Sequence, residues 1–175
     1  MRRFRGILLF LAFGSIHIGY CAAVPSFVDF PATDVFHGKP VPPILTTPAD
    51  RLFRTRIREG AKKGPNFAGH YTIAVWGCGS LCTSMVVVNA KTGKVFPGPF
   101  DILGHFWIGY YLGDTTDKDA PYLDYRLTSN LLVVRGCPED ADEKCATYFY
   151  KWTNRGFRLL TSIPVNRLSN QPTIK

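Results

Sequence analysis

The chain has 175 residues, 46% of them hydrophobic, which suits one domain with its own core and excludes a chain disordered throughout. Thirteen prolines, sixteen glycines and 14% aromatic residues favour short strands and turns over a helical bundle. The net charge of +8 invites a polyanion as partner, and where that charge sits decides which kinds survive.

The first residues have the layout of a secretory signal peptide. Met1-Arg2-Arg3-Phe4-Arg5 is a positive start, Gly6 to Tyr20 is mostly apolar, and Cys21-Ala22-Ala23 offers small residues for cleavage before Val24. The apolar run is shorter than the roughly 20 residues a membrane span needs, and His17 interrupts it. We therefore expect residues 1–23 to direct export to the periplasm or exterior and to leave no transmembrane span after cleavage. Tyr20 before Cys21 argues against lipidation, which wants a small residue there.

Export makes the remaining cysteines, Cys78, Cys82, Cys137 and Cys145, candidates for disulfides. Three pairings are possible. The sequence-local one, Cys78–Cys82 with Cys137–Cys145, is favoured because turns would already bring those residues together.

Residues 24–46 are proline-rich and aperiodic, and read as an extended N-terminal arm laid over the body or as a loose tether. Residues 47–175 read as a single disulfide-containing β domain. It opens with a helix over about 48–60: Thr47 is the N-cap, Pro48 takes the first helical position and Asp50 lies in the first turn. On a helical wheel Ala49, Leu52, Phe53, Ile57 and Ala61 share an apolar arc, with Arg51, Arg54, Arg58 and Lys62 opposite. Arg56 points into the apolar arc, so a hydrogen-bonded partner on the β body is expected for it.

Strands follow. Tyr71 to Trp76 and Thr83 to Asn89 flank a tight turn, Gly77 to Cys82, closed by a disulfide, with glycines at 77 and 79 for positive φ. Ala90 to Gly93 turns into a strand ending at Phe96. Asp124–Thr128 and Leu131–Arg135 flank Ser129-Asn130, and Thr147–Thr153 and Phe157–Ile163 flank Asn154-Arg155-Gly156. Residues 97–123 resist assignment. The pattern is mainly β (α+β), an antiparallel meander packed as a sandwich or open barrel with one N-terminal basic helix.

The phrases "FAGHYTIAVWGCGSLC", "VVVNAKTGKVF", "SNLLVVRG" and "TYFYKWTNRGFRLL" resemble those of a group of small uncharacterised exported bacterial proteins. The resemblance spans roughly Gly64 to Leu160. It implies an exported bacterial domain and carries over no catalytic residue.

Chemical motifs are sparse. A zinc site built on Cys78, Cys82 and His70 lacks a well-spaced second pair, and oxidation competes with thiolate ligation. A Cys78 nucleophile is separated from His70 by a strand. Asp114, Asp117, Asp119 and Asp124 miss the spacing of a calcium loop. No metal and no cofactor is expected. His105 reads as a packing residue beside Phe106 and Trp107. Residues 139–143 form an acidic loop inside the Cys137–Cys145 ring, either solvated or a recognition tip. His70 is the one weak catalytic candidate, as a base with an acid still to be found.

The charge is concentrated. Arg2, Arg3 and Arg5 account for three of the eight net charges, and residues 51–63 hold six cations against Glu59. The rest of the chain is balanced. Nucleic acid is disfavoured by export and by the lack of stacking aromatics in the basic run. The expected function is that of a small exported envelope protein acting as a binding module, an inhibitor, immunity-type factor or assembly accessory, with an envelope protein as partner. One alternative is an envelope hydrolase using His70. Another is a binder of anionic envelope lipid or polysaccharide through Arg51, Arg54, Arg58 and Lys62.

Overall fold

The computed structural model describes residues 23–104 and 121–164. Residues 1–22 of the expected signal peptide, with Cys21, and the positions of His105, Asp114, Asp117 and Asp119 lie outside these residues. Two short helices, α1 (Pro48–Leu52) and α2 (Arg54–Lys62), precede the strands β1 (Tyr71–Gly79), β2 (Cys82–Asn89), β3 (Val95–Pro97), β4 (Leu103–Gly104), β5 (Leu123–Tyr125), β6 (Leu131–Pro138), β7 (Ala146–Trp152) and β8 (Phe157–Pro164). The protein is thus mainly β. Its sheet is antiparallel and open, in the order β1-β2-β4-β6-β7-β8, with β3 beside β2 and β5 beside β6.

Period-two alternation sorts the side chains onto the two faces of the sheet. On the inner face Tyr71, Ile73, Met85, Val87 and Phe96 from the first half meet Leu132, Val134 and Trp152 from the second, and all are buried. The two halves of the one sheet therefore face each other across a shared core. Outside the first half, Trp76 and Val88 pack under Ile57 and Ala61 of α2. Outside the second half, Leu131, Val133 and Phe149 are covered by Phe27 and Phe30 of the arm. The halves join at β4, whose two residues pair with β2 (Cys82↔Gly104, Thr83↔Leu103) and with β6 (Leu103↔Pro138, Gly104↔Cys137).

The helical start is as its residues dictate. Thr47 Oγ1 accepts the Asp50 N–H at 3.0 Å, and Asp50 Oδ2 accepts the Thr47 N–H at 2.8 Å. The helix then breaks at Phe53 (φ −97°, ψ 18°), so the single helix over 48–60 is two segments, the second running to Lys62. The break resets the helical phase and overturns the expectation for Arg56. Leu52 is 72% exposed, and only Ile57 and Ala61 of α2 are fully buried. Arg56 points to solvent, its side chain 66% exposed, and its ion pair is with Glu59 of its own helix at 3.8 Å. A wheel drawn through the break had put it on the wrong side. Gly60 lets α2 approach the sheet, because a Cβ there would stand 2.4 Å from the Cβ of Ala74.

Strand β1 runs on to Gly79, three residues past its expected end at Trp76, with an irregularity between Gly77 and Gly79. Cys78 is bonded to Cys82 and Cys137 to Cys145, the sequence-local pairing. The turn after β2 is organised by Asn89, whose Oδ1 accepts the N–H groups of Lys91 at 2.9 Å and Thr92 at 3.1 Å. Between β5 and β6 the expected two-residue turn at Ser129-Asn130 is a longer loop, because Ser129 is engaged elsewhere. It is 1% exposed, and its Oγ lies 2.9 Å from the carbonyl oxygens of Phe27 and Phe30 while accepting the Leu131 N–H at 3.2 Å.

The arm lies along the body, tied by its backbone. Ala32 donates to Thr128 O, Phe36 to Gly69 O, Val41 to Ala90 O and Ile44 to Gly93 O, at 2.8–2.9 Å. Short bridges join Pro31 to Ser129 and Ile44 to Lys94.

Candidate functional site

Arg51, Arg54, Arg58 and Lys62 are all exposed, as are Arg56 and Lys63. α2 buries Ile57 and Ala61 against β1 and β2, and that packing turns the cations outward. Among the described residues Glu59 is the sole carboxylate within ion-pair distance of a cation on this helix, and it takes Arg56. Arg51 Nη2 donates to Thr46 O and Arg54 Nη1 to Arg51 O, both at 3.2 Å, so these two guanidiniums lie over backbone carbonyls. Arg54, Arg58 and Lys62 repeat at four-residue spacing, where like charges oppose each other by a few tenths of a kcal/mol per pair. Leu52, between Arg51 and Arg54 in the chain, is exposed as well.

His70 stands at the end of the tight turn before β1. Its Nδ1 lies 3.2 Å from Asp34 Oδ2 and 3.3 Å from the Asp34 carbonyl oxygen, and its ring lies against Tyr71 at 4.3 Å. Lys91 Nζ donates to both Asp34 carboxylate oxygens, at 2.7 and 2.6 Å. The Lys91 hydrogen bonds hold the Asp34 carboxyl below its ordinary value of 3.8; desolvation opposes them, and the charges of Lys91 and His70 add smaller lowering effects. The acid that stands beside His70 is thus Asp34, supplied by the arm. Among the described residues no Ser, Thr or Cys side chain is hydrogen-bonded to the imidazole. Cys78 and Cys82 are bonded to each other. Together with the Phe36 N–H on Gly69 O, the group is a clasp that holds the arm down.

The clasp titrates with a definite sign. A carboxyl whose pKa is lowered on folding contributes stability that is present above its unfolded value and lost as pH falls through the folded value. Carbon-13 NMR of Asp34 is expected to give a midpoint below the ordinary carboxyl value, and Lys91→Met should move it upward. A midpoint unchanged by that substitution would show that the clasp does not form in solution.

The four acids of the acidic loop are exposed, and its first residue is tied to the segment just before β4. The Glu139 N–H donates to Ile102 O at 2.7 Å, and Glu139 Oε1 accepts the Asp101 N–H at 3.1 Å. Asp124 lies on β5, paired with Val133. Between α1–α2 and the sheet an apolar cavity of about 460 Å³ is walled by Phe53, Ile57, Trp76, Met85 and Phe100 among others.

The four cations picked out by helical spacing are exposed, as Arg56 and Lys63 are too, and Arg51 lies on α1 before the break. Asp34 and Lys91 went unnoticed because they lie 57 residues apart, and neither sits in a motif. Comparison with protein-family models, with curated proteins and with solved structures finds no match to this chain.

Proposed function

We propose that the protein is a small exported binding module whose working face is the outward side of α1 and α2, and that its partner is an anionic envelope surface. The observation that carries this is the set of exposed cations at Arg51, Arg54, Arg58 and Lys62, none of them in an ion pair among the described residues. Beyond residues 51–63 and the first five residues the sequence is charge-balanced, so the attraction has a direction. A protein partner would call for an apolar, aromatic centre to the contact. Here one exposed leucine stands between arginines in the chain, which suits a headgroup layer better. Export is part of the proposal. It rests on the signal-like start and agrees with two closed disulfides. No helix among the described residues is long and apolar enough to cross a membrane.

The test is binding to anionic and to neutral vesicles at two salt concentrations. Each cation near an anionic surface contributes about 1 kcal/mol, so Arg54→Glu with Arg58→Glu should weaken binding by about 30-fold or more at low salt. Both positions are exposed, so the melting temperature should hold. Equal binding by wild type and variant would remove the helix as the working face. Capture of one stoichiometric envelope protein, with no vesicle binding, would replace the surface with a protein partner.

A further inference from the structure

Resting on that reading, we propose that the groove between the arm and α2 is a pocket for a phosphomonoester headgroup, held by Lys39, Arg58 and Lys62. The groove has a volume of about 310 Å³, at the small end for a ligand site and suited to a headgroup more than to a whole lipid. Arg58 and Lys62 form one wall, four residues apart and so one above the other on α2. The opposite wall is Lys39-Pro40-Val41-Pro42-Pro43 of the arm.

The walls are built before any ligand arrives. Three prolines stiffen the arm segment by fixing φ. Val41 donates to Ala90 O and Ile44 to Gly93 O, which ties that segment to the hairpin turn after β2. Ala61, 3% exposed, belongs to the same groove and also packs α2 on the sheet. Lys39 is therefore carried to Arg58 and Lys62 by backbone contacts that do not involve its own side chain.

All three cations line the one groove. No carboxylate lines the groove. Among the described residues the side chains of Lys39, Arg58 and Lys62 have neither an ion pair nor a hydrogen bond, whereas Arg51 and Arg54 donate to the backbone carbonyls of Thr46 and Arg51. A phosphomonoester presents three oxygens and close to two negative charges, and accepts from three cations at once. The arginine fork takes two of those oxygens and the lysines act as point charges. The prolines and Val41 offer apolar surface to the sugar or glycerol carbon that bears the phosphate.

The experiment compares vesicles of phosphatidic acid, a monoester, with vesicles of phosphatidylglycerol, a diester, matched in surface charge. It uses the protein as purified from the producing cell. Wild type should prefer the monoester. Lys39→Ala should lose that preference by about tenfold with its melting temperature unchanged, since it removes a charged hydrogen-bond donor and no packing. Arg54→Ala should weaken both vesicles alike. Competition by soluble glycerol 3-phosphate that Lys39→Ala abolishes would also support the pocket, with a free phosphorylated molecule as its source. Equal loss on both vesicles in Lys39→Ala overturns the pocket and leaves the cationic surface standing. No binding of wild type to either vesicle overturns both.

Discussion

Exchanging Trp152 for alanine is expected to remove about 3–5 kcal/mol of folding stability, the cost of truncating a large aromatic residue in a packed core. Trp152 is 2% exposed at the end of β7, on the inner face. Its ring lies 4.9 Å from those of Tyr71 and Phe157, 5.3 Å from Phe96 and 6.0 Å from Phe67, mostly edge to face. Tyr71, Phe67 and Phe96 belong to the first half of the sheet, so the indole is where the two halves meet. A domain of ordinary stability, about 5–15 kcal/mol, would lose a large share of it. Trp152→Phe should cost much less. The indole N–H is buried with no acceptor among the described residues, and phenylalanine keeps a ring while removing that donor. Denaturant titration of the two variants decides. Similar midpoints for both would mean that the ring contacts do not hold the halves together.

Gly69→Ala should be comparably severe, for a different reason. Gly69 has φ +81°, and a Cβ there would stand 2.4 Å from the Asp34 carbonyl oxygen. Backbone cannot swing aside as the end of a side chain does, so the arm must lift. The left-handed backbone alone costs about 1–2 kcal/mol for alanine. Displacement would also sacrifice the Phe36 hydrogen bond and the His70–Asp34 contact. A lower melting temperature is expected, together with faster exchange of the Phe36 amide. A variant as stable as wild type, with Phe36 still protected, would contradict the close approach. Lys39 lies three residues beyond Phe36, so the same variant should also loosen the proposed phosphate pocket.

The parts legible in the sequence were those whose signals are local. Asn154-Arg155-Gly156 lies between two alternating runs, and β7 and β8 flank it as read. Thr47-Pro48-Ala49-Asp50 carries its own capping geometry, and α1 starts there. Cys78–Cys82 and Cys137–Cys145 close within turns. Arg56 failed because a wheel assumes an unbroken helix, and nothing in Leu52-Phe53-Arg54 announces the break. β4 was illegible because two residues make no pattern and are a strand only through the neighbours on either side. The site divides in the same way. Arg51, Arg54, Arg58 and Lys62 show at helical spacing. Lys39 and Asp34 reach their places through an arm docked by backbone N–H groups, which any residue type but proline supplies.

The two cross-links have a consequence for how the chain acquires them. Each joins residues no more than eight apart, 78 with 82 and 137 with 145, so neither waits for the halves of the sheet to meet. Closing so short a loop has a small entropic cost, and a mispairing such as Cys82 with Cys137 must close one several times longer. Correct oxidation is thus available to each hairpin as soon as its own few residues are free, and a chain threading out of a pore from either end would reach the same bonds without a proofreading step.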